Sequence, residues 1–240
     1  MNLQKELFLE SMQLMDKPGW EILEEEDLLA FKSPAQVSFI EFVYGNVTAR
    51  SYEKVKSFFR TKSYLWLLSE NQKDDLLIQL GFGTPHLTYE MGINLSEYKH
   101  SPISEPVQVR EVRSSKDHSI WLDVAGKWLN VSASLVDQFF SPWIDAGKFI
   151  PFIGFYEDMP AATSLVYCGK RGAALYMIGT LTDFRNRGLG TAVTNACLKV
   201  AKEKGIDQAV LYGSKMGKSV YEKIGFQLTQ TIREFECPKS

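Results

Sequence analysis

One segment constrains the fold more than any other: Gly179-Thr-Leu-Thr-Asp-Phe-Arg-Asn-Arg-Gly-Leu-Gly-Thr-Ala192. It leaves an apolar strand pattern, Ala173 to Leu181, and passes through a basic, glycine-bearing turn straight into a helix. The helical face is clear, with Leu189, Ala192, Val193, Ala196, Val200 and Ala201 recurring at three and four. Lys199, Lys202 and Lys204 suit the C-terminal end of its dipole, and Gly205 supplies the C-cap. The turn is also a receptor for a pyrophosphate. Gly188 and Gly190 let backbone approach a ligand with no Cβ in the way. Amides of the first helical turn have no internal partner and carry the positive dipole end. Arg185 and Arg187 add fixed positive charge beside them.

Two better-known phosphate motifs do not fit. A dinucleotide fingerprint needs Gly or Ala at its third position, which here is Val193, and the acid at a plausible distance, Asp207, precedes its strand. The run Gly213-Ser-Lys-Met-Gly217-Lys218-Ser219 imitates a P-loop with one residue too few between its glycines, so it cannot wrap a phosphate in that way.

Around this segment the second half of the chain has an α/β layout. Val107 to Arg113 alternates as a half-buried strand, and helical patterning runs from about Asp117 to Ala146 with a break near Leu129-Asn130. Phe149–Tyr156 and Ala162–Cys168 form a hairpin about Glu157-Asp-Met-Pro160, and Gly169-Lys-Arg-Gly172 turns into the Ala173–Leu181 strand. After the helix come a short buried strand (Gln208–Tyr212), a short helix (Lys218–Ile224) and a closing alternating stretch (Gln227–Cys237). The order β, α, α, β, β, β, α, β, α, β holds one β-α-β crossover. Lys99-His-Ser-Pro-Ile-Ser-Glu-Pro106 reads as a linker, which predicts a first domain over 1–98 and a second over 107–240.

Composition narrows the function classes. Lys+Arg number 27 against 29 Asp+Glu, a net charge of −2, so no global field draws the chain to nucleic acid or an anionic membrane. At 45% hydrophobic and 23% charged residues, disorder and fibrous architectures are excluded. Cys168, Cys197 and Cys237 form no CxxC pair and read as reduced thiols, which with the lack of an N-terminal h-region predicts a cytoplasmic protein. His86, His100 and His118 have no ligand spacing, so no metal site is expected.

The pattern R-x-x-G-x-G at Arg185, Gly188 and Gly190, followed one strand later by Val220-Tyr221-Glu222-Lys223-Ile224-Gly225-Phe226, resembles the GCN5-related N-acetyltransferase (GNAT) superfamily. The resemblance covers Val107 to about Cys237. It implies an acyl-CoA N-acyltransferase fold, a mixed α/β sheet, with acetyl-CoA as donor and a small-molecule or peptide amine as acceptor. Thr180, Leu181 and Thr182 would end the strand that pairs with the pantetheine arm. Amides of Arg187, Gly188, Leu189, Gly190 and Thr191, with the Thr191 hydroxyl, would hold the pyrophosphate, and backbone amides near Gly179–Leu181 would face the oxyanion. Ser214 would reach the pantetheine. Tyr221 matches the position facing the thioester sulfur, where its hydroxyl would protonate the departing thiolate; a core aromatic one turn before Ile224 is the other reading of the same residue.

There are departures from the family pattern. Members often carry Pro at the position of Thr182 and Asn at that of Ser214. The Ala173–Leu181 strand holds no Asp, Glu or His, and Tyr176 is its one titratable side chain, so the general base stays unassigned. The first half repeats the second faintly: a strand (Phe39–Tyr44), a helix (Tyr52–Phe59), a strand (Tyr64–Leu68), then Leu76–Phe82 mirroring Tyr221–Phe226, and Leu87–Ile93 alternating to close. Its crossover lacks paired glycines and puts Leu77 where Tyr221 stands, which reads as a degenerate GNAT-like domain or as an unrelated small α/β domain. A CoA-binding sensor without catalysis and an enzyme for longer acyl-CoA are competing functions, and a monomer or homodimer is expected.

Overall fold

The computed structural model describes residues 3–12, 20–34, 41–60, 62–99, 103 and 105–238. In chain order the elements are α1 (Leu3–Met12), β1 (Glu21–Glu25), β2 (Leu28–Lys32), β3 (Phe42–Gly45), α2 (Ala49–Phe59), β4 (Leu65–Ser69), α3 (Asp75–Gln79), β5 (His86–Asn94) and β6 (Val107–Glu111). Then follow α4 (Ser115–Leu129), α5 (Ala133–Asp145), β7 (Phe149–Tyr156), β8 (Met159–Cys168), β9 (Ala173–Thr180), α6 (Leu189–Glu203), β10 (Gln208–Gly213), α7 (Lys215–Ile224) and β11 (Gln227–Glu236), with a 3-10 turn at Thr182–Phe184. The expected β, α, α, β, β, β, α, β, α, β order after Val107 is the order observed.

The chain forms two compact units, one of residues 1–15 and 91–227, the other of 16–90 and 228–240. This division does not coincide with the linker read at 99–106, of which residues 100–102 and 104 lie outside the described residues. The reason is physical: α1 and the end of β5 find their hydrogen-bonding and packing partners in the later unit, and most of β11 finds its own in the earlier one. The Glu10 carboxylate of α1 accepts from Lys170 N–H at 3.2 Å, and Glu6 pairs with Arg171, so this helix covers the β8–β9 turn.

In the larger unit the sheet order is β5-β10-β9-β8-β7-β6. Neighbours from β6 to β9 are antiparallel and β9/β10 is parallel, so the sheet is mixed, as the α/β reading required. Ala161–Tyr167 of β8 are buried without alternation, which means both faces of that strand are covered. α4 supplies Trp121, Val124 and Ala125, and α6 supplies Leu189, Val193, Cys197 and Leu198, all buried. The break expected near Leu129-Asn130 is sharp. Asn130 takes φ 58 and ends α4, while Ser132 caps α5 by accepting from Leu135 N–H at 3.2 Å.

The smaller unit has the order β1-β2-β3-β4-β11-β5. β3 and β4 are parallel around α2, as β9 and β10 are around α6. Its core gathers Val55, Phe59, Trp66, Leu68, Leu77 and Phe235, all but inaccessible to solvent. The strand expected over Phe39–Tyr44 is seen as Phe42–Gly45, residues 39 and 40 lying outside the described ones.

Candidate functional site

β9 leaves its neighbours in two steps. Against β8, Tyr176 faces Leu165 and Gly179 faces Thr163, so two residues of β9, Met177 and Ile178, stand opposite the single Ser164 of β8 and the strand bulges at Met177, whose φ is 52°. Against β10, pairing covers Ala173–Leu175 with Ala209–Leu211 and goes no further. Past Leu175 the sheet opens, and a cavity of about 440 Å³ sits where Ile178, Gly179 and Thr180 face α6 and α7.

The N-terminus of α6 forms one wall. α4, α5 and α7 each begin with a serine whose Oγ accepts a backbone N–H: Ser114 from Asp117, Ser132 from Leu135 and Ser214 from Gly217, at 3.1, 3.2 and 3.1 Å. α6 begins instead on Gly188, at φ 81°, with no side-chain cap. The first intrahelical bond there is Ala192 N–H to Gly188 C=O, so the amides of Leu189, Gly190 and Thr191 have no partner inside the helix. That leaves donors and the positive dipole end facing the cavity. The matching helix of the smaller unit is closed by its own side chains: Thr48 Oγ1 accepts from Ser51 N–H at 3.0 Å and Ser51 Oγ from Thr48 N–H at 2.9 Å.

Thr180, Arg185, Gly188, Leu189, Gly190, Thr191, Ser214 and Tyr221, all read as site residues from the sequence, line this cavity. Leu181, Thr182 and Arg187 do not. The Leu181 amide donates to the Ala161 carbonyl at 2.9 Å, which removes it from the oxyanion donors expected over Gly179–Leu181. Thr182 opens the 3-10 turn, its carbonyl accepting from Arg185 N–H at 3.3 Å. The Arg187 guanidinium lies over the rings of Tyr156 and Phe184, 4.6 and 5.6 Å from their centroids, where cation–π attraction holds it. Arg185 bends back, its Nε donating to the Thr180 carbonyl at 3.4 Å.

Tyr221 is 6% exposed, packed as a core aromatic and at the same time part of the cavity lining. Its ring packs edge-on to Phe226 and against Gly213 and Gly217, where a Cβ would come within 3.1 and 3.0 Å of it. Burial, helped by nearby Cys197, pushes the phenol above its ordinary value, so it is a protonated donor at any physiological pH. The remaining titratable side chains among the described residues lining the cavity are Arg185 and Lys223. Trp128, Phe184, Asn186, Met216 and Lys223 line it too and were not singled out from the sequence. Phe184 and Asn186 lay inside the Gly179–Ala192 segment, Met216 inside the Gly213–Ser219 run and Lys223 inside the Tyr221–Phe226 segment. Trp128 arrives from a helix distant in sequence.

Comparison with known proteins agrees with this geometry. The family model described as "FR47-like protein" matches residues 152–234, from β7 into β11, which takes in every lining residue of the cavity but Trp128. A mycothiol acetyltransferase of Streptomyces coelicolor is 29% identical over 157 residues, 58% of this chain and 48% of that protein. The fold is that of GNAT acetyltransferases. Another mycothiol acetyltransferase, from Saccharomonospora viridis, is 24% identical over 59% of this chain and 42% of its own length. The chain thus spans about half the length of the curated relatives it matches. Among solved structures, a GCN5-related N-acetyltransferase from Kribbella flavida superposes with a TM-score of 0.74 at 15% identity, covering 100% of this chain and 97% of its own. A tandem GNAT protein from the clavulanic acid biosynthesis pathway gives 0.65 at 10% identity over 98% and 88%. At these identities the likeness is one of fold. Among the described residues, no helix is long and apolar enough to cross a membrane, and no group of His, Cys, Asp and Glu is arranged to hold a metal ion.

Proposed function

We propose that the larger unit binds acetyl-CoA and transfers its acetyl group to a primary amine. The observation that carries this is the meeting of two features at one cavity: the uncapped start of α6 and the unpaired stretch of β9. The first offers backbone donors to a pyrophosphate. The second offers an open strand edge to a linear, amide-bearing arm. The names of the curated relatives support acetyl as the acyl group. The amine nitrogen attacks the thioester carbonyl carbon, the C–N bond forms and the C–S bond breaks, with no covalent enzyme intermediate. The Tyr221 hydroxyl delivers the proton to the departing thiolate, and the proton shed by the amine passes to solvent, from which the tyrosinate is reprotonated. Positioning supplies much of the acceleration.

The smaller unit is a degenerate GNAT-like half on this reading. It repeats the parallel pair around a crossover helix, caps that helix with Thr48 and Ser51, and puts buried Leu77 four residues before Gly81, where Tyr221 stands before Gly225. One observation favours a second reading, a CoA-binding sensor: among the described residues lining the cavity there is no carboxylate or imidazole to take the amine's proton. Thiol release from acetyl-CoA over a panel of amines, beside calorimetric CoA binding, separates the two. Binding with no turnover on any amine favours the sensor, and no binding removes both. Competition by longer acyl-CoA thioesters in the same assay tests the chain-length preference.

A further inference from the structure

The bulge in β9 is not held by the loop or by the Tyr221 segment. Met177 occupies the left-handed region, which a residue with a side chain adopts only when its surroundings hold it there. What holds it is Thr163 on β8, which is inaccessible to solvent. Its hydroxyl donates to the Met177 carbonyl at 2.8 Å and accepts from the Trp128 indole N–H, also at 2.8 Å. Seven residues earlier on α4, the Trp121 indole N–H donates to the Ser164 carbonyl at 3.2 Å. Two indoles, two turns apart on one helix face, thus pin adjacent residues of β8 opposite the extra residue of β9. The Trp128 ring also lies directly on β9, since a Cβ at Gly179 would come within 2.2 Å of it. Beyond this clamp lie Ile178, Gly179 and Thr180, the strand residues that face the cavity.

We infer that Thr163 and Trp128 are positioning residues for acyl transfer: they fix the bulge, and with it the backbone of Ile178–Thr180 against which the reacting thioester is placed. The inference rests on the acyl-transfer reading above, though the clamp itself does not. Neither residue belongs to the glycine loop or touches the α6 amides, so phosphate binding and thioester placement are held by separate sets of contacts. Losing the clamp should move the reacting group by a fraction of an ångström to an ångström while leaving the CoA anchor intact, and such misplacement costs rate and not affinity.

The test compares Thr163→Val, Thr163→Ser and Trp128→Phe with wild type in the full chain. Four quantities are measured: kcat with the best amine of the panel, KM for acetyl-CoA, CoA affinity by calorimetry, and amide hydrogen exchange over residues 176–180. Thr163→Val keeps the shape and removes the hydroxyl, and should lower kcat by about 10²-fold with CoA affinity unchanged and exchange over 176–180 faster. Thr163→Ser should restore both kcat and protection. Trp128→Phe, which removes the indole donor together with part of the ring that lies on Gly179, should show a change of the same kind and serves if Thr163→Val does not fold. Normal kcat and normal exchange in the folded variants overturn the inference. So does a parallel loss of kcat and CoA affinity, which would mean simple loss of structure. If wild type turns over no amine, the acyl-transfer reading fails by itself, and the exchange data alone then decide whether these two residues hold the bulge.

Discussion

Gly190→Ala should move stability and ligand binding in opposite directions. Gly190 is the second residue of α6 and has an ordinary helical φ, so alanine is not strained there. A Cβ built on it stands between Thr180 Oγ1 at 3.9 Å and Val220 Cγ1 at 4.0 Å, ordinary van der Waals distances on both sides. Nothing has to move, and the helix gains about 0.5 kcal/mol from the better former near its end. For a unit of this size that raises the thermal midpoint by roughly 1–2 °C. The same methyl fills the approach between β9 and α7 to the unpaired amides. Losing one hydrogen bond to a charged phosphate costs about 1.5–3 kcal/mol, or roughly 10- to 100-fold in CoA affinity. Gly188→Ala is the control with the other sign. Its Cβ meets nothing within 4 Å, yet φ 81° makes any side chain costly by about 1 kcal/mol, so it should destabilise. Differential scanning calorimetry and isothermal titration with CoA read both quantities. A Gly190→Ala protein that is folded and binds CoA as tightly as wild type would refute the placement of the pyrophosphate at this helix start.

Tyr221→Phe should lower turnover at saturating acetyl-CoA by about 10²–10³-fold with near-normal CoA affinity, and normal turnover would leave Tyr221 a packing residue only. Arg187→Ala should leave CoA affinity almost unchanged while costing about 0.5–1 kcal/mol of stability, because its guanidinium rests on Tyr156 and Phe184; a large loss of CoA binding would show that it leaves those rings for the ligand. Burial pushes the Cys197 thiol and the Tyr98 phenol up to about 12, and the Tyr221 phenol in the same direction. Each folded value lies above the unfolded one, so that stability is complete below about pH 8.5 for the thiol and about pH 10 for the phenols, and drains as pH rises towards 12. A thermal midpoint that stays flat from pH 8 to 11 would contradict this. A fragment starting at Val107 should fail to fold cooperatively, since it strips α1 and Met91–Asn94 of β5 from the larger unit; a sharp, reversible melt of that fragment would show these pieces to be dispensable.

What the sequence disclosed, and what it hid, follows from where the information lies. The α6 helix, its glycine start and the α4–α5 break at Asn130 are local, written in periodicity, caps and left-handed positions, and they stand where expected. The β1–β2 hairpin was missed because β1 is Glu-Ile-Leu-Glu-Glu, largely exposed, with no alternation strong enough to mark it. The bulge leaves no trace in Tyr176-Met177-Ile178, since it is imposed from outside by Thr163. Trp128 reaches the cavity only through tertiary packing. Arg187 shows the opposite limit: its charge fits a phosphate, but the rings it rests on come from β7 and the 3-10 turn, and the sequence pattern of the loop does not place it there. The boundary at 99–106 marked a real composition change, but composition says nothing of a strand that crosses from one unit to the other.

The late return of β11 to β4 sets a timetable for synthesis. β4 pairs on one side with β3, close behind it in the chain, and on the other with β11, Leu65 meeting Glu236 and Ser69 meeting Ile232. At 5–20 residues per second, the ribosome needs about 8–30 s after making β4 to deliver that second partner. Until then a strand reading Leu-Trp-Leu-Leu-Ser presents a bare edge. Apolar edges of this kind are templates for mispairing. The smaller unit therefore completes after the larger one has most of its parts, and the nascent chain is exposed to aggregation over that interval, where a holdase would act. A mutation that slows elongation between Ser69 and Ile232 should reduce soluble yield without altering the folded protein at all.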